Sequence, residues 1–109
     1  MTSSQRDKSR RRQAFKAAND GFLERPCRLS REEVGIIVED SLGQLGRRFA
    51  IHKDLTPAQS EAIEADPPTN PQAFTELLMG LVGVDASGNW FRAMLRIVAR
   101  HFEGAAARR

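Results

Sequence analysis

Three helix-start signatures divide this chain and leave little room for any other regular structure. Ser30 stands three residues before Glu33, Thr56 three before Gln59 with Pro57 next to it, and Asn70 immediately before Pro71. A Ser or Thr followed three residues later by Glu or Gln can satisfy the first orphan amides of a helix reciprocally, and proline suits the first helical position. Each signature opens onto apolar residues at helical spacing, and no segment alternates apolar and polar residues for long enough to make a strand. The chain is therefore predicted to be all-α, a small bundle of four to five helices with well over half of its residues helical and none in a sheet.

After Ser30, the residues Val34, Val38, Leu42, Leu45 and Phe49 fall within about 80° of arc and define a core face. Gly35, Gly43, Gly46 and Ala50 share a neighbouring face, on which another backbone is expected to approach closely. The same glycines leave open a helix that ends near Gly46 and restarts. A short helix is expected from Pro57 to about Ala65, and Asp66, Pro67, Pro68 and Thr69 then break the chain. The helix from Pro71 carries Phe74, Leu77, Leu78, Leu81 and Val82, the most apolar set, which marks it as the central helix. Residues 85–88 have turn composition. From Asn89 the last helix gathers Phe91, Met94, Leu95, Val98 and Phe102 on one face, flanked by Trp90, Ile97 and His101.

With 109 residues, 40% of them hydrophobic, there is material for one core. Residues 21–109 are predicted to form that bundle and residues 1–20 a basic, partly helical arm, docked through Phe15, Ala18 and Phe22 and frayed before them. The single cysteine, Cys27, excludes an internal disulfide, and with only two histidines a closed zinc site is not expected. No cofactor or metal is expected. No apolar run approaches the roughly 20 residues that span a bilayer, and the basic start lacks the apolar segment of a secretion signal. A cytoplasmic protein without membrane contact is the expectation.

The net charge of +3 conceals a segregation. Residues 1–31 hold nine basic and three acidic groups, residues 32–76 three and nine, and residues 77–109 five and two. Such a chain can offer one surface to a polyanion and another to basic neighbours, or fold its arm onto its own middle. Copies of it are expected to associate head to tail, at least on a nucleic-acid lattice.

Catalytic signals are missing from the sequence. The glycines neither follow a strand nor precede a Lys-Ser/Thr pair, there is no Gly-x-Ser-x-Gly elbow, and Cys27 has no local histidine. His52, beside Lys53 and Asp54, reads as a solvated side chain or phosphate contact, and His101 as a partly buried core histidine. Glu32 with Glu33 and Glu39 with Asp40 are sequence neighbours that do not face each other on a helix. The chain is predicted not to be an enzyme.

Cationic clusters are the stronger signal. Arg10, Arg11, Arg12 and Lys16 lie in the arm, Arg47, Arg48 and Lys53 form another cluster, and Arg92, Arg96 and Arg100 recur at intervals of four on the last helix. These ten residues are the candidate nucleic-acid contacts, through phosphates and without sequence specificity. Solvated tails and helix faces share this look, and Glu103 in the same arc offsets part of the last stripe. Trp90 has two readings, a base-stacking platform and a core residue. A helix-turn-helix is excluded, because the second helix of the only candidate pair carries Glu76 and no Lys or Arg with which to read bases.

In size, helical content, the Arg10 to Arg12 and Arg92, Arg96 and Arg100 clusters, and mixed charge, the chain resembles the small helical subunits of multisubunit CRISPR effector complexes. The resemblance implies a non-catalytic scaffold that stacks in several copies along RNA or single-stranded DNA, beside other protein subunits of a ribonucleoprotein. Two other classes fit the same features: a small protein-binding regulator, such as an antiactivator or phage inhibitor, and an accessory DNA-binding factor of a plasmid or phage.

Overall fold

Both capping boxes form. Ser30 Oγ accepts from the Glu33 amide at 3.1 Å while Glu33 Oε1 accepts from the Ser30 amide at 2.8 Å, and Thr56 and Gln59 exchange the same pair at 3.1 and 2.9 Å. Asn70 Oδ1 accepts from the Ala73 amide at 2.8 Å. These caps open α1 (Arg31–Phe49), α2 (Pro57–Ala65) and α3 (Pro71–Val82), and α4 (Asn89–Ala107) follows the turn. The structure, a computed structural model, describes residues 26–109, among which there is no strand. The predicted arm, with Arg10, Arg11, Arg12, Phe15, Lys16 and Phe22, lies outside the described residues.

The helices alternate in direction. Asp40 of α1 meets His101 of α4, and Glu33 meets Arg108 and Arg109, so these two helices run antiparallel. At the other end Gln59 Nε2, in the first turn of α2, donates to the Leu81 carbonyl near the end of α3 at 3.1 Å. One end of the bundle thus holds the start of α1 and the finish of α4, and the Cys27 amide donates to the Thr69 carbonyl at 2.6 Å nearby. The opposite end holds the finish of α1, the start of α2 and the turn into α4.

The central helix is α4, which packs on both α1 and α3, and this corrects the expectation that placed α3 there. Apolar content makes α3 well buried, but α4 is long enough to cover two neighbours: Ala93, Met94, Val98, Phe102 and Ala105 are buried along it. Phe74 and Phe102 meet edge to face at 5.8 Å across the α3–α4 contact. On α1 the buried set is Val34, Ile37, Ser41, Leu42 and Leu45, while Val38 and Phe49 are only partly covered. Ile37, absent from the predicted face, is 1% exposed, because the face toward α4 is turned from the one toward α2. On α3, Thr75 and Met79 are buried and Leu77 is 39% exposed, the reverse of the predicted assignment for Leu77.

The helix does not stop at Gly46. α1 continues to Phe49 and closes on Ala50, whose φ of 56° lies in the left-handed region, with the Ala50 and Ile51 amides donating to Gly46 and Leu45 carbonyls. α3 ends in the same way on Gly83 at φ 71°.

Candidate nucleic-acid interface

The cations of the described chain divide into those that a carboxylate engages and those, Arg28 among them, that form no ion pair among the described residues. At the end where α1 begins, Arg31 Nη1 lies 3.2 Å from Glu61 and 3.8 Å from Glu64, so α1 is tied to α2. Arg108 and Arg109 lie 2.9 and 2.8 Å from the two Glu33 oxygens, and Arg109 also donates to the Arg28 carbonyl. The Arg109 guanidinium, the Ser30 amide and Arg108 together hold the Glu33 carboxyl well below the usual carboxylate range. Carboxylates engage these three arginines.

A second set of cations runs from the opposite end along α4. Arg47, Arg48, Lys53, Arg92, Arg96 and Arg100 are all exposed, and none forms an ion pair among the described residues. The antiparallel register that sets Asp40 against His101 brings Arg47 and Arg48 level with the first turns of α4. Two clusters that are far apart in sequence therefore share one end of the molecule, and Arg96 and Arg100 continue from it along α4. Asp54 follows Lys53, and Asp85 accepts from the Ser87 hydroxyl at 2.7 Å. Arg48 rests its guanidinium 5.6 Å from the centre of the Phe49 ring.

A groove of about 820 Å³ opens between α1 and α2. Its apolar walls are Val34, Val38, Leu42, Leu55 and Ile63, and Arg47, His52 and Lys53 stand among its lining residues together with Glu39, Asp54 and Glu64. Gly35, Gly43 and Gly46 of α1 line it, and the expected approach of another backbone is limited to the Ile51 carbonyl, 3.9 Å from where a Gly46 Cβ would stand. A Cβ on Gly35 would meet nothing within 4 Å, one on Gly43 the Arg47 guanidinium at 3.2 Å, and one on Gly46 the His52 ring at 2.9 Å.

The remaining candidates take structural roles. The Trp90 indole donates to the Asp85 carbonyl at 2.6 Å and packs against the core. His101 is 28% exposed, with Nε2 2.8 Å from Asp40 Oδ2, so it joins α1 to α4. No group of three His, Cys, Asp or Glu residues able to hold a metal occurs among the described residues, and no helix there is long and apolar enough to cross a membrane. The fold and this surface define a four-helix bundle with a cationic end. Comparison with protein-family models, curated proteins and solved structures returned no match.

Proposed function

We propose that this protein is a non-enzymatic, helical nucleic-acid-binding subunit of a ribonucleoprotein assembly, which holds the phosphate backbone without reading sequence. The observation that carries the reading is the division of the cations. Arg31, Arg108 and Arg109 are engaged by carboxylates, whereas Arg47, Arg48, Lys53, Arg92, Arg96 and Arg100 are exposed without an ion pair among the described residues. Exposed guanidinium groups on a rigid helix gain affinity for a polyanion by releasing its counterions, and lose no backbone entropy in doing so. The basic residues Arg10, Arg11, Arg12 and Lys16 would add to the same field, and copies stacking along the strand would follow the resemblance to CRISPR small subunits.

The test is a salt titration of binding to single-stranded RNA and DNA. Arg92, Arg96 and Arg100 changed together to glutamate should weaken binding equally for all sequences and lower the salt slope by roughly 2 to 3 units. Helix content should not change, since the three side chains lie outside the core. Parent-like binding by this variant would refute the assignment. The apolar walls of the α1–α2 groove favour a second reading, a regulator that captures a partner helix, and failure of the parent to bind any polyanion would make it the leading one.

A further inference from the structure

The end of α1 and the segment after it combine cations with flat, exposed ring surface. The His52 imidazole lies on the backbone of α1 at Gly46, with Nδ1 2.9 Å and Cε1 3.3 Å from the position a Cβ would occupy there. Only glycine at 46 leaves room for the ring in this position. His52 nevertheless remains exposed, beside Lys53, and lines the groove together with Arg47, whose guanidinium lies over Gly43 one turn back. The Arg48 guanidinium adds a second flat group above Phe49.

Charge along the groove distinguishes what can enter it from what must stay outside. Its lining carboxylates, Glu39, Asp54 and Glu64, repel a phosphate but not a neutral base, and they can accept hydrogen bonds from base amino groups. A bound strand therefore keeps its backbone on Arg47, Arg48 and Lys53 and turns a base inward. Resting on the polyanion reading above, we propose that this end of the bundle is a single-strand site in which one base stacks on His52 at the mouth of the groove. A duplex keeps its bases paired and cannot supply that face, so the site discriminates strand state. RNA and single-stranded DNA present the same base and phosphate chemistry here.

Fluorescence anisotropy with labelled single-stranded RNA, single-stranded DNA and duplex DNA of one length, at low salt, tests this on the full chain. The parent should prefer both single strands to the duplex, a 2′-hydroxyl effect appearing only as a difference between the two single strands. His52→Ala should weaken single-strand binding roughly tenfold, the loss expected for one stacked base, and leave duplex binding unchanged. His52→Phe should restore it and His52→Lys should not. Gly46→Ala should act in the same direction as His52→Ala, because the added methyl displaces the ring while helix propensity improves. Equal affinity for single strands and duplex, parent-like single-strand binding by His52→Ala, or rescue by lysine in place of phenylalanine would each overturn the stacking site and leave the polyanion reading standing. No binding to any of the three probes would overturn both.

Discussion

Replacing Ala50 by glycine should stabilise the protein, although it removes a methyl group and adds nothing. Ala50 closes α1 at φ 56° and ψ 29°, and it is exposed, so its side chain contributes little packing. The left-handed conformation costs a residue with a Cβ roughly 1–2 kcal/mol, and glycine avoids that cost. Glycine also has more freedom in the unfolded chain, which takes back about 0.4–1 kcal/mol. The balance is a gain of about 0.5–1 kcal/mol, or about 3–6 °C in Tm for a domain of this size. Gly83→Ala is the reciprocal experiment, since Gly83 has φ 71° and a Cβ there would meet nothing within 4 Å. It should lose about as much stability as Ala50→Gly gains. Thermal and urea unfolding followed by far-UV circular dichroism measure both. A neutral or destabilising Ala50→Gly variant would refute the reasoning, and so would a stabilising Gly83→Ala.

Ser41 is fully buried and its hydroxyl has no hydrogen-bond partner among the described residues, so Ser41→Ala should raise stability by about 1 kcal/mol in urea unfolding; a clear loss would reveal a partner for the hydroxyl. The Glu33 carboxyl is held below the usual carboxylate range by Arg109, Ser30 and Arg108, so its contribution is complete above the unfolded-state value of about 4.3 and is lost as the pH falls below it. Glu33→Gln should therefore lower stability at neutral pH and flatten the acid limb of the stability profile, and parallel profiles for the two proteins would show that Glu33 is not the group responsible.

Helix positions were legible in the sequence because their determinants are local. Ser30 with Glu33, Thr56 with Gln59, and Asn70 each act within one turn, and each cap forms where the residue pattern indicated. Facing directions were less legible. A single arc drawn through Val34, Val38 and Leu42 merges two contacts, since α1 packs against α4 on one side and α2 on another, and Ile37 belongs to the side the arc excluded. The identity of the central helix was hidden for a related reason, as apolar content reports burial but not how many neighbours a helix has. In the candidate site, the exposure of Arg92, Arg96 and Arg100 followed from helical spacing. The meeting of this stripe with Arg47 and Arg48 at one end depends on the antiparallel register between Asp40 and His101, which no spacing within one helix encodes. The seat of His52 on Gly46 was foreshadowed only by a glycine inside the helix, a residue whose cost in helix propensity calls for a structural reason.

The antiparallel pairing of α1 with α4 also governs the order in which the chain can assemble. Asp40 and His101 are 61 residues apart, whereas α3 and α4 are separated only by the turn over residues 83–88. With loop-closure entropy growing as the logarithm of length, the tenfold longer closure costs about 2 kcal/mol more before any contact offsets it. The α3–α4 hairpin is thus cheaper to close than the α1–α4 pair. During synthesis the disparity is larger, because α1 leaves the ribosome long before α4, one of the two helices it packs against, has been made. Among the described residues, α2 is then the one helix available to shelter the apolar stripe of α1, and a product truncated before α4 would leave the side that α4 covers exposed.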